Sequence, residues 1–191
     1  ADILDLEALN RKFDIIISTG VLHHMDDPMA GWKVLTNCLK TGGFMQIGLY
    51  SELARKHIAQ IRDEIEQNSN IEITSNDAMK SFRKKIFSSE EEHHKNIVRS
   101  SNFYKMSILR DWLFHVQEHR FTIPQIKTSL SSLGLMFCGF ENEQVRQKFK
   151  ESKKFIAESS VYDLEEWDAF EKENPKEFSR MYIFWCQKGL L

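Results

Sequence analysis

The stretch FDIIISTGVLHHMDDPMAGWKVLTNCLKTGGFMQIGLY, Phe13 to Tyr50, decides the fold. Phe13–Ser18 is a short β-branched run, apolar on both faces, which is the pattern of a strand in a buried parallel sheet. The loop Thr19–Pro28 then gathers Gly20, the pair His23-His24 and the pair Asp26-Asp27. Asp27 predicts a helix cap with Pro28 in the first turn, and Gly42-Gly43 predicts the end of that helix. Phe44–Tyr50 reads as a second apolar strand. The unit is therefore βαβ, with a polar crest at the carboxyl end of its first strand, where open α/β sheets bind their ligands.

Composition narrows the classes around this unit. The chain has 191 residues, 41% hydrophobic and 28% charged, with a formal net charge of −2. Those values suit one globular core with an appended lobe and give no bulk reason for nucleic acid or a membrane surface as a partner. No apolar run approaches the roughly 20 residues that cross a bilayer. Cys38, Cys138 and Cys186 lie far apart in apolar surroundings and read as reduced core residues of a cytoplasmic protein. The sequence starts on ADILDLEAL with no strand–helix unit before it, so a further amino-terminal portion is expected.

Outward from the crest, Ser51 predicts a cap for a helix through about Gln67, with Leu53, Ile58, Ile61 and Ile65 at helical spacing. From Asn68 to Asn102 the apolar signal weakens, and a helical, partly mobile insertion is expected. His93-His94 reads there as a solvated pair and Lys80–Lys85 as an exposed helix face. Ile108, Leu109, Trp112, Leu113 and Val116 form an amphipathic helix that runs into HVQEHR, His115–Arg120. Thr122 starts another helix, Gly134 ends it, and Leu135–Glu141 is a strand. Asp163 opens a helix carrying Leu164, Trp167 and Phe170, and Ser179–Lys188 is a last strand expected to be buried on both faces. Trp112, Trp167 and Trp185 sit at core spacing. The order predicts an α/β fold: a mostly parallel sheet with an antiparallel edge, flanked by helices. Three regions follow: 1–67, a partial cofactor-side half; 68–120, a helical insertion or lid; and 121–191, helices and strands completing the sheet.

These residues resemble the carboxyl-terminal portion of a class I S-adenosylmethionine-dependent methyltransferase. The likeness rests on Phe13–Tyr50, whose V-L-H-H crest, D-P helix start and L-K-x-G-G turn are similar to the family's fourth and fifth strands and their connection. ADILDL resembles the segment after the family's third strand. WLFHVQEHRFTIPQI and NPKEFSRMYIFWCQK resemble a bacterial subgroup in which the domain is often attached to tetratricopeptide repeats. The resemblance implies a Rossmann-like methyltransferase sheet and S-adenosyl-L-methionine as cofactor, with methyl transfer to an acceptor that the sequence does not name. The family's glycine-rich loop has no counterpart in this chain, so a truncated domain, inactive by itself, is expected.

Carried over by position, the resemblance implies that Asp2 accepts from the adenine amino group and that Ile3 lies against the ring. It places Thr19, Gly20 and Val21 with their backbone toward the cofactor, and His23 and His24 as crest residues with a catalytic role. His115, His119 and Arg120 are candidate substrate contacts. His115 and His119, four apart, would share a helix face, but no third ligand is placed by the sequence and no metal is assigned. The alternative is a non-catalytic, methyltransferase-like interaction or assembly module. Phe13–Ser18, apolar and with one edge unpartnered, then predicts a homo-oligomer formed through that edge.

Overall fold

The computed structural model describes residues 2–67, 75–114, 117–152, 157–178 and 181–189. The chain divides into two compact units, 1–54 with 117–191, and 55–116.

The first unit is built on a sheet of four strands in the order β1-β2-β4-β3, where β1 is Phe13–Thr19, β2 Leu39–Tyr50, β3 Leu135–Phe140 and β4 Met181–Lys188. β1 and β2 are parallel, as the βαβ reading requires, while β4 runs antiparallel between β2 and β3, so the antiparallel strand lies inside the sheet and not at the edge where it was expected. The connection is α1, Pro28–Cys38, and Asp27 caps it by accepting from the N–H groups of Met29 and Ala30 at 2.9 and 3.1 Å. Thr122 caps α6, Ile123–Ser132, in a reciprocal capping box with Gln125, and Asp163 caps α8, Leu164–Glu173.

One face of this sheet carries the core. Met45, Ile47 and Leu49 of β2 lie beside Cys186, Phe184 and Tyr182 of β4, all fully buried. Trp32 of α1, Ile126 of α6, and Trp167 and Phe170 of α8 close over them, with Phe149 stacked on Trp167 at 3.8 Å from α7, Glu143–Ser152. Each such apolar side chain contributes roughly 1.5–3 kcal/mol relative to exposure.

The opposite face is open, which corrects the expectation that β1 is buried on both sides. Ile15 and Ile17 are 59% and 64% exposed, beside exposed Phe44 of β2, and Met136 of β3 is exposed as well. The apolar run is real, but no described layer covers it. For the same reason Trp185 is only half-buried and β4 alternates instead of being buried on both faces. Cys38 and Cys186 are buried and Cys138 is half-buried, all as free thiols.

Gly42-Gly43 does not terminate α1. The helix ends at Cys38 and the glycines fall inside β2, where the register jumps from Phe13 opposite Leu39 to Ile15 opposite Phe44. A Cβ on Gly43 would stand 2.9 Å from the Asp14 carbonyl, so the pair makes room for a bulge.

The second unit is helical: α2, Lys56–Gln67; α3, Asn76–Phe87; α4, Glu92–Val98; and α5, Met106–Phe114. It has its own core of Ile58, Ile61, Phe82, Ile86, Ile97, Phe103, Leu109, Trp112 and Leu113. Here the His93-His94 expectation fails. His94 is buried and both rings meet Glu64, because α4 packs on α2.

Candidate functional site

The crest forms where β1 leaves the sheet. Thr19 ends the strand, and Gly20 turns the chain at φ +77°, in the left-handed region that favours glycine. A Cβ at Gly20 would meet nothing within 4 Å, so this stretch of backbone faces open space. Val21 follows, exposed, and Leu22–His24 close one 3-10 turn. Helix α1 is pressed against that turn. A Cβ on Gly31 would stand 2.4 Å from the Met25 sulfur, so a larger residue there would have to displace the Met25 side chain.

His23 points inward and is fully buried, its ring stacked on Tyr50 at 3.7 Å between centroids. His24 is half-buried and meets both rings edge-on, at 4.5 Å from His23 and 5.5 Å from Tyr50. Its Nδ1 lies 3.1 Å from the Gln117 carbonyl. A carbonyl only accepts, so Nδ1 carries the proton and the lone pair of the neutral ring resides on Nε2. A histidine held in this way is suited to general-base work at Nε2.

The segment 117–121 completes the crest. The His119 N–H donates to the His23 carbonyl at 2.8 Å. The Phe121 N–H donates to Tyr50 at 2.8 Å, and Glu52 donates back to Phe121 at 2.9 Å. His23, His24, His119 and Arg120 therefore share one region, although the sequence separates them into two motifs. Among the described residues no hydrogen-bond partner meets the buried Nε2 of His119. His115 lies outside the described residues. Beside the crest, a groove of about 540 Å³ runs between α1 and α6, lined by Met29, Phe121, Pro124, Gln125 and Thr128.

Asp2 and Ile3 open a 3-10 helix, Ile3–Leu9, that lies along α1. Asp2 Oδ1 accepts from the Leu4 N–H at 3.0 Å, so its observed task is to cap that helix. Ile3 packs at the margin of the core. The crest and this segment thus lean on the same helix.

One polar cluster of the unit escaped the sequence reading. Glu171 of α8 is buried, accepting from Ser51 Oγ at 2.9 Å and from the Tyr182 hydroxyl at 2.7 and 2.8 Å to its two oxygens. Ser51 Oγ also accepts from the Ala54 N–H at 3.0 Å. Burial raises the Glu171 carboxyl above its ordinary value, against the pull of Tyr182 and Ser51. Burial, with the Glu171 charge beside it, pushes the Tyr182 hydroxyl well above the ordinary tyrosine range. A signal existed: Glu171 falls seven residues after Leu164 and four after Trp167, on the apolar face of its helix.

A parallel pair joined through a helix, with a glycine turn and a histidine crest at the carboxyl end of its first strand, is the arrangement at which Rossmann-like sheets receive ligands. Comparison with known proteins carries this further. Residues 1–47 match the family described as Methyltransferase domain. The whole chain superposes on PKMT2 from Rickettsia typhi, solved in complex with AdoHcy, with a TM-score of 0.65 at 14% identity, spanning 38% of that chain. A second structure of PKMT2 from Rickettsia typhi gives a TM-score of 0.61 at 15% identity, spanning 37% of it. An uncharacterized protein of Synechococcus sp. (strain ATCC 27144 / PCC 6301 / SAUG 1402/1), syc1184_c, is 25% identical over 181 residues, which is 87% of this chain and 41% of that protein. The chain therefore spans less than half the length of these relatives. The family match covers β1, the crest, α1 and most of β2, and the fold is the one shared with the PKMT2 structures. Among the described residues no helix is long and apolar enough to cross a membrane.

Proposed function

We propose that this chain is part of an S-adenosylmethionine-dependent methyltransferase and that its crest faces the cofactor. The observation that carries the reading is the turn Thr19–Gly20–Val21, inside the matched segment. It ends a parallel strand, takes a left-handed φ at Gly20, and leaves open space where a side chain would stand. That is a backbone able to receive a ligand closely. Because the chain covers less than half of its relatives, the activity is assigned to the whole protein.

The bound cofactor supplies a methyl group on a sulfonium centre, open to in-line attack by an acceptor. On this reading Thr19, Gly20 and Val21 line the cofactor with main chain, while Asp2 offers its second carboxylate oxygen to the adenine amino group. Positioning of the acceptor supplies most of the rate. His24 holds its Nδ1 proton on the Gln117 carbonyl, and Nε2 takes the proton that the acceptor loses. His23, buried against Tyr50, sets the orientation of the turn that carries His24. A titration of the whole protein with S-adenosylhomocysteine tests the reading. Saturable binding that weakens in Gly20→Val supports it, and no binding sinks it.

The open face favours a second reading, an assembly module that associates through β1. Exposed Ile15, Ile17 and Phe44 lie side by side next to a strand edge that is unpaired among the described residues. Under this reading the chain self-associates and binds no S-adenosylhomocysteine in any form of the protein.

A further inference from the structure

We propose that Glu64, His93 and His94 in the helical unit form a binding site for one divalent transition-metal ion, with zinc the best chemical match. Glu64 lies on α2, one turn after Ile61, on the side that packs against α4. His93 and His94 open α4 and turn both Nε2 atoms toward the same carboxylate. His94 Nε2 stands 3.0 Å from Oε2, and His93 Nε2 contacts Oε1. All three donor atoms lie within 4.8 Å of one another.

Two imidazole nitrogens and one carboxylate oxygen are a ligand set that zinc takes where it keeps a fourth position for water. Tetrahedral zinc with bonds of roughly 2.0–2.2 Å holds its ligand atoms about 3.3 Å apart. His94 Nε2 and Oε2 are near that spacing and all three donors fall within 4.8 Å, so side-chain rotations bring them onto one ion. Nickel and copper accept the same nitrogens, but calcium and magnesium prefer sites built from oxygen.

The surroundings fit a ligand role. Ser89 Oγ lies 2.7 Å from His94 Nδ1 and is itself held by the Glu91 N–H at 3.2 Å. As a hydroxyl it accepts from an Nδ1–H as readily as it donates. It thereby supports the tautomer that turns the Nε2 lone pair toward an ion, the orienting contact common around metal-bound histidine. The His94 side chain is 5% exposed while Glu64 is 31% exposed, so the site is closed at one side and reachable from the other. The ion would tie α2 to α4, adding a polar clamp to the apolar cluster that holds this unit together.

The test is zinc titration of tag-free, chelator-treated protein by calorimetry, with cobalt(II) absorption as a report on coordination. Binding of one equivalent is expected, with the visible bands of a tetrahedral cobalt site. His93→Ala and Glu64→Gln should each weaken binding at least tenfold, Ser89→Ala more mildly, and His24→Ala in the other unit not at all. Circular dichroism checks that each variant is folded, and Glu64→Gln, which preserves volume, serves if His93→Ala is not. No saturable uptake, or uptake unchanged in both ligand variants, overturns the proposal.

Discussion

The N–H of His119 donates to the carbonyl of His23 over 2.8 Å, and that bond joins two sequence motifs into one crest. Gln117, two residues earlier, accepts from His24 Nδ1. The crest is therefore braced by the segment 117–121, and its chemistry depends on main-chain geometry at 117–119.

On the proposed mechanism, His24→Ala in the whole protein lowers turnover by roughly 10²–10⁴-fold, the span typical of a lost general base. The Michaelis constant for the cofactor should change little. Steady-state rates with saturating acceptor check this, and unchanged turnover removes His24 from the chemistry.

Glu171 and Tyr182 make a stability prediction with a definite sign. Burial lifts the folded-state affinity of Glu171 for its proton above the ordinary value of 4.5. Between that value and the raised one, the folded chain binds more protons than the unfolded chain, so this group's contribution falls as pH rises. Urea unfolding across that window should show stability declining with pH, and Glu171→Gln should flatten the decline. Tyr182→Phe removes a donor to the buried carboxyl and should cost about 1–3 kcal/mol.

A substitution at the strand contact probes how closely β1 and β2 approach. A Cβ on Gly48 would stand 2.6 Å from Thr19 Cγ2 and 3.1 Å from Thr19 Cα. Gly48→Ala should therefore destabilise by about 1–3 kcal/mol, as overpacking does. Adding Thr19→Ala removes the nearer contact, so the double variant should melt above Gly48→Ala alone. If it does not, the strands are not in this register.

Self-association follows from the open face. Light scattering on the chain should show a mass that grows with concentration, and Ile17→Lys should shift it toward the monomer. Ile17 is 64% exposed, so that change should leave the melting temperature nearly unaltered. A monomer at every concentration refutes the association.

Local signals made much of this legible in advance. The Asp27-Pro28 start, the Thr122 cap and the strand at Leu135 are each written within a few residues, so a reading of the chain finds them. Partners distant in sequence were not legible. His94 meets Glu64 only because two helices pack, and no spacing encodes that pairing. The carbonyl of Gln117 acts through the main chain, on which its residue type is silent. Ile15 and Ile17 have the composition of a buried strand, and exposure depends on which layers cover them.

The central claim is that Thr19–Val21 receives the cofactor. Calorimetric titration of the whole protein with S-adenosylhomocysteine, beside the Gly20→Val variant, measures it most directly. The account predicts one saturable site in the natural sequence and a loss of at least tenfold in affinity in the folded variant, whose side chain would occupy the open space at the turn. Absence of binding in the natural sequence, or equal affinity in both, would contradict it.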